Sequence, residues 1–444
     1  MTTASSTRTQ LNEVRSSDNW ATTKLRFLLE VNPTTPAELR NQSDRLVPFI
    51  PMEALGEDGS IDTTREHPVG ELLAGYSYFA NGDVLMAKVT PCFENGKAAL
   101  VQSLSRKHGF GSTEITTLRA SEGLDPAFLY YLVRSDHFRQ ASIASMTGAG
   151  GLKRVPDEHI RSFETSVPPE TEQRTITNFL DRETAKIDAL IDKQEQLIAT
   201  LREDRAATIN QAVTKGLESN VETKASGVTW LGEIPTHWIA ARLKNVISAI
   251  DSGTSVNGAD VPALPGEPGV LKTSCVSTGQ FRPEANKTVF GEEVDRLSCP
   301  VTVGTLLVNR ANTPALVGSA GFVHDPHPNL YLSDKIWQVS FTDSLAEFIY
   351  FWTQTNVYRS QITGNSVGAS SSMQNLSMSD FKNTAIALPP ISDQRAIVQF
   401  LSVRIRKIDA LIDKSTEMIE MLREYRSALI TNAVTGKIDV REAV

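Results

Sequence analysis

Two basic residues, each followed by side chains with hydroxyl or amide groups, are the first candidates for chemistry in this sequence. Lys88 precedes Thr90 in the run "VLMAKVTP", and Arg310 precedes Asn312 and Thr313 in "LLVNRANTP". A cation beside such groups can bind a phosphate or the O6 and N7 atoms of guanine, and an asparagine amide can pair with adenine. The same residues are equally well explained as exposed cations on a strand.

A second pair of positions differs in charge between the early and the late part of the chain. Thr113 and Glu114 in "GSTEITTL" align with Asp334 and Lys335 in "LSDKIWQV". A glutamate carboxylate can accept a hydrogen bond from cytosine N4, whereas a lysine at that place favours guanine. The exchange of charge is what two sites with different targets would require.

Turns and loops supply the remaining candidates. Asn95 and Lys97 flank a glycine in "ENGKAAL", a pattern typical of a hairpin turn that presents a lysine. The runs "GAGGLKR" and "GASSSMQN" are rich in small residues and in hydrogen-bond donors, and their candidate side chains are Lys153, Arg154, Gln374 and Asn375. An ordinary solvated turn and flexible linkers without a ligand are the alternative explanations.

No stretch has the pattern of a known catalytic site. The double prolines in "VPPE" and "LPPI" are not followed by the aromatic residue of an amino-directed methyltransferase motif. The sequence lacks a complete phosphate-binding loop and an HExxH motif, and its seven histidines are scattered. We therefore expect no catalytic residue, no metal and no cofactor, although an enzyme with an unrecognised site in one domain remains an alternative.

Composition limits the class of protein. The 444 residues suffice for two or more cores, and 40% of them are hydrophobic. The net charge of −8 is spread without a basic block, so contacts with a polyanion must use local clusters. The polar start of the chain and the lack of a long apolar run predict a cytoplasmic protein without a membrane span. The three cysteines have no metal-site spacing and are expected to be reduced and mostly buried.

The octapeptide "KIDALIDK" occurs at 186–193 and again at 407–414. The match extends without a gap over 167–217 and 388–438, where 25 of 51 positions are identical. Chance would give only a few identities, so the chain contains a duplicated element.

Both copies are predicted to form long helices. A double proline and an acidic residue precede an apolar heptad pattern in each copy, and Gly216 and Gly436 end the helices. Each apolar stripe needs a partner, which predicts an antiparallel intramolecular coiled coil. The residues assigned to its seam are Leu180, Ile187, Leu190, Ile191, Leu197, Ile198 and Leu201 in the first copy and Leu401, Ile408, Leu411, Ile412, Met418, Ile419, Leu422 and Leu429 in the second.

The segment before each helix repeats more faintly, with Phe128 aligned to Phe348 and Arg139 to Arg359. Alternating β-branched runs and amphipathic helical runs in these segments predict α+β domains. The predicted organisation is a domain at 1–166, a helix and linker at 167–226, a domain at 227–387, and a helix and tail at 388–444, related by a pseudo-twofold axis.

Taken together, these motifs resemble the specificity subunit of type I restriction–modification enzymes. The resemblance runs from about Trp20 to Val440 and is carried by the repeated helix, "PPxxxQRxI", "DVLMAKVTPCFENGKAAL", "GFGSTEI" and "WLGEIPTHW". It implies that each domain is a target recognition domain that binds one half of a bipartite double-stranded DNA sequence. It also implies that the helices set the spacing and that the chain itself is not catalytic.

The resemblance further implies two methyltransferase subunits as partners and endonuclease/translocase subunits recruited through the complex. Polar helix residues that are identical in both copies are the candidates for docking the methyltransferases, because a merely solvated face would be free to diverge. These residues are Lys186, Asp188, Arg202, Lys407, Asp409 and Arg423. A non-catalytic scaffold with two domains that bind proteins or glycans is the alternative hypothesis.

Overall fold

Two units make up the fold, and each contains one α+β domain together with parts of two long helices. The computed structural model describes residues 20–104, 106–149, 151–218, 220–365, 367–370 and 373–441. The first unit comprises Met1–Glu195 and Thr416–Val444, and the second comprises Gln196–Ser415. The unit boundaries fall within the two long helices, and the four domain ranges expected from the sequence stay a prediction.

The first unit contains twelve described strands and five short helices before the first long helix. Strands β1 to β12 are Ala21–Lys24, Leu29–Val31, Leu46–Ile50, Glu66–Pro68, Ser77–Ala80, Val84–Ala87, Ala98–Leu100, His108–Gly111, Ile115–Ala120, Thr147–Ala149, Leu152–Arg154 and Glu164–Val167. Helices α1 to α6 are Ala37–Arg40, Val69–Leu72, Pro126–Arg134, Asp136–Ser145, Asp157–Ser162 and Glu170–Lys215. Short 3-10 helices lie at Leu25–Phe27 and Met52–Ala54.

Two four-stranded sheets form the body of the first domain. Their strand orders are β2-β9-β6-β7 and β4-β3-β8-β5. The first sheet is antiparallel throughout, and the pairing of β3 with β8 in the second sheet is parallel. Strands β10 and β11 form a separate hairpin, and β1 pairs with β12 directly before the first long helix.

The second unit contains the strands β13 to β27, the helices α7 to α9 and the first part of α10. The strands are Thr223–Ala225, Glu233–Pro235, Ile239–Arg242, Ile247–Ser252, Gly258–Ala259, Gly269–Leu271, Asn286–Val289, Leu306–Asn309, Ala311–Asn312, Ala320–Phe322, Leu330–Tyr331, Ile336–Phe341, Val367–Ser370, Met373–Asn375 and Ala385–Leu388. Helices α7 to α10 are Ala346–Thr353, Asn356–Asn365, Met378–Asn383 and Ile391–Val434, and 3-10 helices lie at Leu243–Asn245, Thr273–Val276 and Gly291–Arg296.

The second domain repeats the main sheet of the first and three of the four strands of its second sheet. Its main sheet has the order β16-β24-β20-β22, and a second sheet has the order β17-β19-β18-β23 with a parallel pairing of β18 and β23. Strand β15 pairs with β27 before the second long helix, as β1 pairs with β12 before the first. The faint repeat in the sequence therefore corresponds to a repeated topology.

One fully buried strand lies at the centre of each domain. In β6, Val84 and Met86 belong to the core shared with the long helices, whereas Leu85 and Ala87 belong to the core on the other face of the sheet. Strand β20 divides its side chains in the same way between two cores. Both faces of each strand are covered, so its own side chains are buried. The residue that follows the strand is the first one along the chain whose side chain reaches the surface.

The long helices pack antiparallel, as the sequence predicts. In the first unit, Ile187 near the start of α6 shares a core with Leu429 near the end of α10. In the second unit, Ile209 near the end of α6 shares a core with Ile408 near the start of α10. Gly216 follows α6 with a positive φ of 84°, and Gly436 follows α10 with a φ of 68°, which confirms the predicted ends. None of the helices in the described ranges has an apolar stretch of the length that a bilayer requires.

The predicted seam is wrong at four positions. Leu190, Leu197, Leu411 and Met418 are between 43% and 50% exposed, so they lie outside the helix interface. Adjacent residues such as Leu190 and Ile191 are about 100° apart around a helix, and only one of them can face the partner. The positions on the seam follow a 4-3 spacing and are Ile187, Ile191, Gln194, Ile198, Leu201 and Arg205 in α6 and Ile408, Ile412, Ser415, Ile419, Leu422 and Arg426 in α10.

A buried glutamine ties each long helix to the domain before it. The Gln173 side chain accepts a hydrogen bond from the Asp125 backbone N–H at 2.7 Å and donates to the carbonyl oxygens of Gly123 and Pro168. Gln394, at the equivalent place in the second copy, accepts from the Leu345 N–H and donates to a proline carbonyl. The glutamine of "PPxxxQR" is therefore a structural bracket between the helix and its domain.

We expect Gln173→Ala to lower the stability of the first unit by about 1–3 kcal/mol, because three backbone groups lose their partner and the Pro168 carbonyl among them is buried. Urea unfolding and hydrogen exchange at the amides of α3 measure the effect. Asn178→Ala, at an exposed position of the same helix and the same unit, is the matched control and should change stability by less than about 0.5 kcal/mol. Equal effects of the two substitutions would contradict the role of Gln173 in tying the helix to its domain.

Candidate nucleic-acid interface

Three segments of the first domain converge at the end of the central strand β6. The Lys88 N–H donates to the Glu114 carbonyl at 2.9 Å, and the Val155 N–H donates to the Lys88 carbonyl at 2.9 Å. Val89 forms a β-bridge with Arg154. The end of β6, the turn before β9 and the hairpin β10–β11 are thus fixed to one another by backbone hydrogen bonds.

The second domain builds the same junction from equivalent residues. The Arg310 N–H donates to the Lys335 carbonyl at 3.0 Å, and the Leu376 N–H donates to the Arg310 carbonyl at 2.8 Å. Ala311 pairs with Asn375 as Val89 pairs with Arg154. These hydrogen bonds establish the correspondence of the two domains independently of any sequence alignment.

Six positions of this junction, which we call the junction set, carry different side chains in the two domains. In the first domain the set is Lys88, Thr90, Thr113, Glu114, Lys153 and Arg154. In the second it is Arg310, Asn312, Asp334, Lys335, Gln374 and Asn375. Every member is exposed or partly exposed, and none is fully buried.

The junction set of the first domain has internal contacts that orient its side chains. The Thr90 hydroxyl accepts from the Lys153 N–H at 2.8 Å and donates to the Gly151 carbonyl. Arg154 lies 3.7 Å from the Glu114 carboxylate. Arg154 therefore stands beside a carboxylate, so this surface offers both donors and an acceptor.

The junction set of the second domain has a different balance of charge. Arg310, Lys335 and Asn375 are exposed, and the Asn312 side chain accepts a hydrogen bond from the Thr313 N–H at 2.8 Å. Lys335 occupies the place of Glu114, so a donor replaces an acceptor on the same backbone. Thr313 is exposed next to this set.

Asn95 and Lys97 are the predicted contact residues of the first domain that lie outside the junction set. The Asn95 amide donates to the Glu57 carboxylate at 2.9 Å, and the Lys97 ammonium donates to the Met52 carbonyl at 3.4 Å. Both side chains hold the loop that follows β3. Their role as DNA contacts stays a prediction, as it does for the whole predicted set.

The helix residues predicted for partner docking include two aspartates with intramolecular partners. Arg426 binds Asp188 at 3.0 Å in the first unit, and Arg205 binds Asp409 at 2.9 Å in the second. Both arginines occupy seam positions, and the identity of the aspartates in the two copies therefore has an explanation within the chain. Sequence reasoning missed Arg205 and Arg426, although their identity across the repeat and their heptad position were available signals.

The other predicted docking residues are more exposed. Lys186 binds Glu183 at 2.9 Å, and Arg423 lies 3.4 Å from Glu195. Arg202 and Lys407 are exposed, and no ion pair is found for either among the described residues. A docking role for all six residues stays a prediction.

Comparisons with known proteins relate the chain to one family. The model of the "Type I restriction modification DNA specificity domain" matches residues 298–421. The type I restriction enzyme EcoEI specificity subunit of Escherichia coli is 25% identical over 478 residues, which cover 89% of this chain and 79% of that protein. The predicted resemblance to type I specificity subunits is confirmed.

Two solved structures confirm the predicted α+β fold class with two domains and two long helices. One, described as the basis of complex assembly and conformational transition of the type I R-M system, has a TM-score of 0.71 at 18% identity and covers 94% of this chain and 98% of that one. The HsdS subunit from Thermoanaerobacter tengcongensis has a TM-score of 0.53 at 19% identity and covers 95% of this chain and 98% of that chain.

Exchange of one seam ion pair tests its contribution to helix pairing. We expect Asp409→Arg to destabilise the second unit and the additional change Arg205→Asp to restore about 1 kcal/mol, because the pair is re-formed with reversed polarity. Denaturant unfolding of the four variants measures the coupling. The same exchange at Arg423 and Glu195, whose side chains are 63% and 55% exposed, should give coupling near zero. Lack of recovery in the double variant at 205 and 409 would contradict the account.

Proposed function

We propose that this chain is the DNA sequence-recognition subunit of a type I restriction–modification complex and that each domain binds one half of a bipartite target. The observation that carries the proposal is the junction set, in which one hydrogen-bonded backbone presents different polar side chains in the two domains. Constant geometry with variable donors and acceptors is what recognition of two unrelated half-sites requires.

The side chains of the junction set have the chemistry of base readout. Arg310 and Lys335 are donors suited to the O6 and N7 atoms of guanine, and Asn375 is an amide suited to adenine. Glu114 in the first domain is an acceptor suited to cytosine N4, with Arg154 beside it as a donor. Lys88 and Lys153 supply positive charge for phosphates, which fix register without sequence information.

The net charge of −8 agrees with a protein that concentrates its DNA contacts in small clusters. We propose double-stranded DNA as the ligand and the cytoplasm as the place of action. Methylation and cleavage belong, on this proposal, to partner subunits, and the chain itself supplies recognition without a catalytic residue.

We propose that the paired helices set the spacing between the half-sites and dock two methyltransferase subunits, through which endonuclease/translocase subunits join. The equivalent seam positions of the two helices support this role, because they leave the identical candidate residues of the two copies equally exposed. The residues proposed for docking are Lys186, Asp188, Arg202, Lys407, Asp409 and Arg423.

Methylation mapping of the assembled complex tests the proposal. We expect Arg310→Ala to relax the preference at one base pair of one half-site by about 1–3 kcal/mol and to leave the other half-site unchanged. Arg282→Ala removes the same charge from the same domain at a position where the arginine pairs with Glu284, and it should leave the methylated sequence unchanged. A wild-type complex that methylates without any sequence preference would refute the function.

A further inference from the structure

A polar cleft in the first domain lies directly beside the junction set. Its walls are the segment after β2, the start of β5, and the junction residues Lys88 and Thr113, and its volume is about 510 Å³. The remaining lining residues come from 32–35, Arg40 and 75–78. All of them belong to the first unit.

The cleft is positively charged. Arg40, exposed at the end of α1, and Lys88 both line it, and none of its lining residues is acidic. No ion pair involves either cation among the described residues. Another groove of the same unit differs, because five carboxylates line it together with four arginines. In a chain with an excess of acidic residues, two cations without a carboxylate mark a place that attracts an anion.

Hydroxyl groups surround the two cations. Thr34, Thr35, Thr113 and Tyr76 line the cleft, and no side-chain hydrogen bond is found for their hydroxyls within the described part of the chain. The Tyr76 ring is 41% exposed and packs edge-on against Phe49 at 5.0 Å, which fixes its position. Arginine, lysine and hydroxyl donors are the groups that bind phosphate oxygens in protein–DNA interfaces.

Other polar groups of the cleft already have partners. The Ser77 hydroxyl donates to the Ile115 carbonyl, and the Tyr78 hydroxyl shares a hydrogen bond with His108. The Asn32 amide donates to the Asp157 carboxylate. These contacts hold the walls, so that the free donors are presented by fixed segments.

The corresponding stretches of the second domain are joined to each other. The hydroxyls of Thr254 and Ser298 form a hydrogen bond of 2.7 Å, and the Cys299 thiol donates to the Ser252 carbonyl at 3.0 Å. Ser252 ends β16 and Thr254 follows it, as one cleft wall follows β2. Ser298 and Cys299 precede the bridge of Pro300 with Tyr331, as the other cleft wall leads into β5. The open cleft is therefore a difference between the two domains.

We propose that this cleft binds a phosphodiester group of the DNA backbone next to the half-site that the first domain recognises. Arg40 and Lys88 bind the phosphate oxygens, and the hydroxyls of Tyr76 and the three threonines complete the site. This inference rests on the proposed function and adds an anchoring site in the first domain, since the corresponding described stretches of the second domain are joined to each other. Such a contact strengthens binding to every sequence and adds nothing to the choice of bases.

Salt dependence of DNA binding by the complex with its methyltransferase partner tests the proposal. We expect Arg40→Ala to reduce the slope of log K against log salt by about one and to weaken binding about tenfold at low salt. Arg40→Lys should keep the slope, and Arg40→Glu should reduce it further than alanine does. Tyr76→Phe removes one hydroxyl and should weaken binding without a change in slope.

Arg65→Ala is the matched control, because Arg65 is an exposed arginine of the same domain that pairs with Glu53. It should leave affinity and slope unchanged. An unchanged slope in Arg40→Ala would overturn the site, and so would a change in the methylated sequence, which would place Arg40 on a base. Either result leaves the proposed function standing if the wild-type complex still methylates a specific sequence.

Discussion

The seam between the two long helices is the constraint on which the rest of the structure depends. Each helix has an apolar stripe whose exposure to water would be unfavourable, and this stripe is buried against the other copy of the helix. Within each unit the paired helix segments continue into the core of the α+β domain. Each domain therefore packs on a pair of helix segments that the duplicated sequence keeps nearly constant. The outer surface of the domain is free to diverge.

The buried glutamine and the seam arginines show how the duplicated element keeps its geometry. Gln173 and Gln394 satisfy equivalent backbone groups at the junction of helix and domain. Arg205 and Arg426 place a charge on the seam, where an apolar residue would be expected, and an aspartate of the other helix pairs with it. Polar groups at such places favour one register over its alternatives. Register matters here because each long helix begins only a few residues after the last strand of the domain that precedes it.

The sequence predicted the repeated helices, their antiparallel pairing and the α+β domains, because heptad spacing and β-branched alternation are local signals. It wrongly assigned Leu190 and Leu411 to the seam. Where two apolar residues are adjacent, the sequence alone does not determine which of them faces the partner helix. The junction set was largely named from sequence, since alignment of the two domains brings Glu114 opposite Lys335. The cleft beside it was not, because Arg40, Tyr76 and Lys88 come together only through the order of the strands.

The most direct test of the central claim transplants the junction set. Its six changes are Arg310→Lys, Asn312→Thr, Asp334→Thr, Lys335→Glu, Gln374→Lys and Asn375→Arg, made together in the second domain. The backbone that presents these side chains is common to both domains, so methylation mapping should show the second half-site shifting toward the sequence recognised by the first domain. A methylated sequence that stays as it is in the wild type would contradict recognition through these positions.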